Sequence, residues 1–506
     1  MSALYLGTGK LEKYLIEKLD NKLDTNQQIK LNIILDYMRG TRVNNKDNQS
    51  SMSFLRPMVE KHVNRNLRIG FWHHPDTGLF QGKHSQGPLR EIFGVHHIKA
   101  HVFDHNVLIT GANLSEDYFT DRQDRYYIIE NCEPLANYFD DLISILTDCS
   151  YNLNVDGMLK MLPQYPEPNK QPKKFKNQMS HHLRFLRFQH RTQISTQEDL
   201  KIEDYFSEVK PQNMNDEDVL LIDQKGIGKP FKNQDETEFK TESHQNKIKQ
   251  HNNDSLAGEE QVLIENSSFS DEYILDKIVQ INKKQEQDQE GSGRVFIFPT
   301  LQMNVINYKE DEELFMELLK FYSQQENKFD RLQLATGYLN LQKEIKNLLN
   351  QNKNLKTDLL TSSPRANGFY KAGRFKKFIP GMYRAKELQI LQENSKSKNI
   401  KIFEWESGEW TYHAKGAWFY EQEESNNPVM TIIGSSNYSN RSNRRDTECQ
   451  LYILSDSEEF RHKLKIESDH LFSKSKEVSI EHITKFDEDP LTFKERILAK
   501  IMNKLL

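Results

Sequence analysis

Residues 95–104 read V-H-H-I-K-A-H-V-F-D, and residues 413–420 read H-A-K-G-A-W-F-Y. Each stretch sets a histidine two positions before a lysine, His97 with Lys99 and His413 with Lys415. In a strand, residues two apart project from one face, so each imidazole lies beside an ammonium. Such a pair is a poor divalent-metal site, because the ammonium repels the ion. It suits a phosphate: the lysine screens the charge while the histidine attacks phosphorus or moves a proton. Each pair leads to a Gly-Asn turn, ending at Asn113 in one case and Asn437 in the other. Those amides can donate to phosphoryl oxygens. Eleven residues beyond each asparagine stands an acid, Asp124 and Glu448. Two such sets facing each other would surround one phosphorus, one histidine serving as nucleophile and the other as general acid. His96 points to the opposite face, His101 has no counterpart in the second set, and His73 and His74 fall outside the repeat. His73 and His74 are read as structural or surface residues.

The elements that carry the two sets recur in the same order. A-L-Y-L-G-T-G (3–9) matches L-A-T-G-Y-L-N (334–340), N-I-I-L-D (32–36) matches K-T-D-L-L-T (356–361), and L-R-I-G-F-W (67–72) matches I-K-I-F-E-W (400–405). Final strands follow at 126–129 and 451–454. Short apolar strands separated by helical stretches indicate α/β architecture. One series repeated twice indicates duplicated halves. The expected fold is two such halves, each a mixed sheet flanked by helices, with the site at their interface. The expected boundaries are 1–163 and 294–475, with an insert at 164–293 and a helical tail at 476–506.

Composition narrows the function classes. A formal charge of −5, from 69 basic and 74 acidic residues, gives no general attraction to nucleic acid. Three scattered cysteines exclude a disulfide framework and a cysteine-based zinc site. No run of about eighteen apolar residues predicts a membrane span. Mean hydropathy is −0.80. The insert is so rich in Lys, Asn, Gln, Glu and Asp that it is expected to be largely disordered. Its basic portion at 173–191 is read as a solvated linker, with a helix or an anionic-membrane contact as alternatives. At the tail, Phe493, Ile497, Leu498, Ile501 and Leu505 share one helical face beside Lys494, Lys500 and Lys504. That helix is either an interfacial membrane anchor or a core-packed element.

H-x-K-x(4)-D followed by a Gly-Asn turn, present here from His97 to Asn113, resembles the phospholipase D superfamily. S-A-L-Y-L-G-T-G, L-D-Y-M-R-G-T-R, the long stretch from His97 to Tyr126, T-G-Y-L-N-L and W-T-Y-H-A-K-G-A-W-F-Y resemble its eukaryotic mitochondrial CDP-diacylglycerol–glycerol-3-phosphate 3-phosphatidyltransferases. The resemblance covers most of 1–160 and 295–455. It implies transfer of a phosphatidyl group from CDP-diacylglycerol to glycerol 3-phosphate, releasing CMP, through a phosphohistidine intermediate. It implies His97, Lys99, Asp104, His413 and Lys415 as catalytic, with Asn113, Asn437, Asp124 and Glu448 as support. Tyr420 stands where the pattern has its second Asp, and is assigned to site support. The residues leave open which histidine attacks, and analogy favours His97.

Arg39, Arg42, Arg441, Arg444 and Arg445 are candidates for holding substrate phosphates, since guanidinium forks match them. Gly7, Thr8, Gly9 and Lys10 form a weaker nucleotide-binding candidate, lacking the full phosphate-loop spacing. No cofactor or metal is required, with divalent activation through the substrate phosphates left open. The expected location is the mitochondrial inner membrane surface, without a spanning helix. In the resembling family a strand and helix precede the segment matching A-L-Y-L-G-T-G. The first half is therefore expected to be truncated, with an unpaired sheet edge. A hydrolase or nuclease of the superfamily, a serine-accepting transferase and an inactive lipid-binding protein are the alternatives.

Overall fold

A computed structural model describes residues 1–44, 47–76, 94–192, 261–263, 293–324, 329–370, 373–421, 426–486 and 491–501. The first half contains β1 (Ser2–Ala3), β2 (Lys30–Asp36), β3 (Asn66–Trp72), β4 (Ala100–Phe103), β5 (Asn106–Thr110), the short β6 (Arg122–Gln123), β7 (Tyr126–Ile129), β8 (Tyr151–Leu153) and β9 (Leu159–Lys160). Its sheet runs β7-β5-β4-β1-β2-β3-β8-β9. The second half contains β10 (Gln261–Leu263), β11 (Arg294–Met303), β12 (Tyr308–Lys309), β13 (Phe329–Ala335), β14 (Lys356–Ser362), β15 (Ile400–Trp405), β16 (Thr411–Tyr412), β17 (Gly416–Glu421), β18 (Pro428–Gly434), β19 (Glu448–Ser455) and β20 (Ser475–Val478). Its sheet runs β10-β11-β19-β18-β17-β13-β14-β15-β20, with β12 paired to β11.

The two orders superimpose from β7/β19 through to β8/β20, with the same parallel trio in the middle (β1-β2-β3 and β13-β14-β15). This is the duplicated α/β arrangement expected from the repeat. The parallel strands are buried on both faces, which is why N-I-I-L-D and D-L-L-T read as continuous apolar runs and not as alternation.

Helices cover both sheets. In the first half these are α1 (Lys10–Thr25), the single turn α2 (Tyr37–Gly40), α3 (Ser51–Lys61), the short α4 (Glu116–Thr120), α5 (Glu133–Asp148) and α6 (Pro172–Thr192). In the second they are α7 (Glu310–Gln324), α8 (Lys343–Gln351), α9 (Ile379–Glu393), the short α10 (Asn440–Arg444), α11 (Glu458–Phe472) and α12 (Phe493–Ile501). The halves differ at one edge. In the second, β11 flanks β19, and α7 packs Leu314, Phe315 and Leu318 over that end of the sheet. Among the described residues β7 has no strand on its outer side, and Ile128 there is 65% exposed.

The insert boundary at 164 needs correction. Residues 172–192 form α6, whose Phe175, Met179, Leu183 and Leu186 recur at helical spacing and are buried. They join one core with α5 and with β11 and β19 of the other half. The net charge of this segment concealed an apolar stripe of only four side chains, enough to seat the helix between the halves. Leu183→Ala is expected to cost about 2–5 kcal/mol in denaturant unfolding. An unchanged midpoint would restore the linker reading. Of the insert, residues 193–260 and 264–292 lie outside the described residues. The tail boundary shifts too, because β20 pairs with β15 and so belongs to the second sheet.

Candidate active site

The two His-Lys segments meet where the halves join, and each is zipped to the opposite half by main chain. His97 N–H donates to Thr447 O (2.9 Å), and Thr447 N–H donates to Val95 O (2.9 Å). On the other side β16 pairs in parallel with β6, and His413 N–H donates to Gln123 O (2.8 Å). These short ladders end beside the two acids, so each half lends its carboxylate to the other's histidine. His97 Nδ1 lies 2.8 Å from Glu448 Oε2, and His413 Nδ1 lies 2.7 Å from Asp124 Oδ2. Each lysine folds back on its own histidine: Lys99 Nζ donates to His97 O and Lys415 Nζ to His413 O, both at 2.6 Å.

Burial sets the protonation of this cluster. It pushes both imidazoles well below their usual value, and the neighbouring Lys99 and Lys415 charges add to that. It lowers Lys99 to about 7 and Lys415 to about 8, against the attraction of Glu448 and Asp124. It raises Asp124 to about 6 and Glu448 to about 7, against the lysines' pull. A buried pair of imidazoles set between lysines and carboxylates suits a phosphodiester, whose negative charge offsets the cost of burial and favours the protonated histidine that a leaving group needs.

The sheet ends supply the supports. Asp36 closes β2, accepting from Arg39 N (2.8 Å) and from His96 N (2.9 Å), and so fixes the residue before His97. His96 is fully buried, its Nε2 2.7 Å from Ser2 Oγ, a structural role. Tyr118 and Tyr338 present rings nearly perpendicular to His413, with centroids 5.1 and 5.9 Å away. Arg122 stacks on Tyr118 and donates to Thr411 Oγ1 (3.0 Å).

Arg125 crosses the seam and is 3% exposed. Its Nη1 donates to the carbonyls of Lys415 (3.1 Å) and Ile432 (2.8 Å), while Nε and Nη2 hold Glu467. Its own N–H fixes Asp124 Oδ1 (2.9 Å). Gly416 has φ +136°, and a Cβ there would overlap the Arg125 guanidinium. Spacing alone did not single out these residues. Arg122 and Arg125 flank Asp124, and Tyr5 and Tyr338 each follow the first strand of the shared trio, so closer comparison of the repeats could have found them.

Several expected site residues lie elsewhere. Asp104 is exposed in the β4–β5 turn with φ +53°, at the far end of the strand from His97. Tyr420, at the same offset from His413, is buried under α11, where its hydroxyl donates to Gln333 and lies 3.3 Å from Ser468 Oγ. Seven residues along an extended strand carry either side chain well away from its histidine.

The Gly7–Lys10 turn is no phosphate cradle. Glu12, 1% exposed, fills it and accepts from Glu116 N (2.7 Å), Thr8 bonds Asp47, and a Cβ at Gly7 would overlap that carboxylate. An anion would meet a buried negative group there. Asn113 Nδ2 donates to Tyr118 Oη (2.8 Å), and Asn437 Oδ1 accepts from Thr336 Oγ1 (3.3 Å).

Of the arginines, Arg39 stacks on Tyr5, and Arg42 is held below its usual value by burial and by Arg39. Arg441 pairs with Asp446 (2.9 Å), and both act electrostatically on His97. Arg444 and Arg445 instead line a separate cavity of about 340 Å³ with His74, Asp76, Lys176, Asn304 and Val305. Asp20, Asp24 and His62 have metal-like spacing, but Lys61 Nζ lies 2.6 Å from both carboxylates.

Comparison with known proteins follows the same lines. No family model matches the chain. A probable CDP-diacylglycerol–glycerol-3-phosphate 3-phosphatidyltransferase of Dictyostelium discoideum is 27% identical over 100% of this chain and 73% of its own length. The chain is a homologue of these phosphatidyltransferases. The human mitochondrial transferase of that name is 26% identical over 95% of this chain and 73% of its own length. A phosphatidylserine synthase from Haemophilus influenzae, 14% identical, shares the fold with a TM-score of 0.60, covering 100% of this chain and 87% of its own.

Proposed function

We propose that the protein transfers the phosphatidyl group of CDP-diacylglycerol to glycerol 3-phosphate, giving phosphatidylglycerophosphate and CMP. The observation that carries this is the convergence of both His-Lys pairs, each completed by the other half's acid, in a chain homologous to such transferases along its length. In the first step His97 attacks the phosphorus that bears the diacylglycerol. The bond to the CMP oxygen breaks, and His413 supplies its proton. In the second step His413 takes a proton from a glycerol 3-phosphate hydroxyl, which attacks the same phosphorus and releases His97. Lys99 and Lys415 offset the phosphoryl charge throughout. The aromatic rings beside His413 favour it as the histidine on the nucleotide side.

The reading needs no cofactor, and a divalent ion has a place only on the substrates' phosphates. Several relatives are named as mitochondrial, which supports a mitochondrial location for the reaction. A lipid donor supports a seat on the inner membrane surface; no helix among the described residues is long and apolar enough to cross a membrane.

The test follows labelled CDP-diacylglycerol in detergent micelles with glycerol 3-phosphate, serine or no acceptor. Phosphatidylglycerophosphate and equimolar CMP are expected only with glycerol 3-phosphate. Phosphatidic acid formed equally well without acceptor would replace this reading with a hydrolase. The same assay has an expected pH profile. Activity requires ionised carboxylates and charged lysines, so it falls below about 6–7 as Asp124 and Glu448 protonate, and above about 7–8 as Lys99 and Lys415 lose their protons. Glu448→Gln should move the acid limb down to about 6, where Asp124 alone protonates. A broad plateau from pH 5 to 9 would contradict this assignment.

A further inference from the structure

The tail helix was expected to use one apolar face, and the structure divides it. α12 is capped by Thr492, whose N–H donates to Glu495 Oε2 (2.9 Å) while Glu495 N–H donates to Thr492 Oγ1 (3.3 Å). Leu498 and Ala499 turn inward and pack with Met382, Phe378 and Tyr383 at the start of α9. A Cβ at Gly381 would overlap the Glu495 carboxylate, so glycine there lets α12 lie close. At 100° per residue, Phe493 and Ile497 fall opposite that packed face. They are 78% and 42% exposed. Exposed Lys494, Arg496 and Lys500 flank them, and Lys377 is exposed on the turn leading into α9.

The packed side of this helix connects to the active site. Tyr383, in the packed cluster, lies 5.3 Å from Tyr338, whose ring is 5.9 Å from His413. An exposed apolar pair bordered by cations, on a helix that does not span, fits the boundary layer of an anionic membrane.

We propose that the outward face of α12, with Lys377 beside it, is the surface by which the protein sits on an anionic lipid bilayer, bringing the His413 side of the site to its substrate's headgroup. This rests on the lipid-donor reading above and adds where the lipid surface lies. Two apolar side chains and four cations give reversible attachment, so the enzyme can work along the surface and leave it. Glu495, the one acid in the helix, is turned inward, which leaves the outer face without negative charge among its described residues.

The experiment uses the full chain with phosphatidylcholine vesicles, with and without phosphatidylglycerol. The parent is expected to co-sediment strongly only with the phosphatidylglycerol-containing vesicles. Phe493→Asp with Ile497→Asp should abolish co-sedimentation, and each of Lys494→Glu, Arg496→Glu and Lys500→Glu should weaken it at least about fivefold. These exposed positions should leave the thermal midpoint and micellar activity unchanged, while turnover of vesicle-borne CDP-diacylglycerol drops at least about tenfold. Parent-like vesicle binding by the Phe493/Ile497 variant would overturn the proposal. So would a parent that ignores vesicles but forms a dimer this variant disrupts, since the face would then be a subunit contact. Vesicle binding that behaves as stated, in a protein with no transferase activity in micelles, would sink the assigned reaction and leave the surface standing.

Discussion

His97→Ala is expected to remove all detectable transfer, a loss of at least about 10⁴-fold, because the imidazole that attacks phosphorus in the proposed mechanism is then gone. His413→Ala loses a comparable factor with CDP-diacylglycerol, for a different reason: CMP then departs unprotonated. The two are separated by a phosphatidyl diester whose leaving group, p-nitrophenolate, needs no proton. His413→Ala should still release one burst of p-nitrophenolate and retain the phosphatidyl group on His97, recoverable as an acid-labile adduct. His97→Ala should release none. A burst in His97→Ala and none in His413→Ala would exchange the two roles, and bursts in neither would remove the phosphohistidine step altogether.

The second large effect is expected at Arg125, which reaches no substrate. In the first half the carbonyl of Lys99 accepts from the Thr110 N–H (3.2 Å), an ordinary continuation of the β4–β5 ladder. In the second, the equivalent carbonyl of Lys415 is held by the Arg125 guanidinium from across the seam. The chain bends away at Gly416, and Arg125 restores the lost rung. Arg125→Lys keeps the charge opposite Glu467 but cannot reach both carbonyls. It should lower kcat roughly hundredfold with little change in KM, as expected when a reacting group is displaced by about an ångström. The pH profile should also shift, because Lys415 no longer sits against its histidine. Arg125→Met should instead destabilise the fold by about 3–5 kcal/mol, leaving Glu467 without its buried partner. A kcat for Arg125→Lys equal to the parent's would reduce Arg125 to a packing residue.

Much of this could be read in the sequence because repetition filters chance. The two H-x-K pairs, the asparagine turns and the acids at equal offset agreed with each other; the pairs and acids converge on one site, and Asn113 bonds the Tyr118 that faces His413. What spacing cannot carry is partnership across a fold. Equal offsets identified Asp124 and Glu448 but not that each serves the other half's histidine. The offset of seven suggested Asp104 and Tyr420, and a strand's rise per residue takes both away from the site. The Gly7–Gly9 turn looked receptive until Glu12, three residues on, proved to occupy it. In α6 the density of Lys, Arg and His outweighed the apolar residues in any average, yet core formation depends on the four that fall on one face. The helix at 493–501 was read as a single face, whereas its packing against α9 uses Leu498 and Ala499 and leaves Phe493 and Ile497 outside.

The exchange of carboxylates between halves has a consequence for complementation. A chain altered at His97 and another altered at His413 each hold one damaged and one intact dyad in a single pocket. Mixing them as folded proteins adds nothing, because neither can lend a histidine to the other without opening its seam. Activity could return only if whole halves changed places between chains, pairing the intact 94–125 region of one with the intact 411–448 region of the other. Turnover regained slowly after partial denaturation of such a mixture would therefore time the parting and re-docking of the two halves, a process no substrate assay on the intact chain would register.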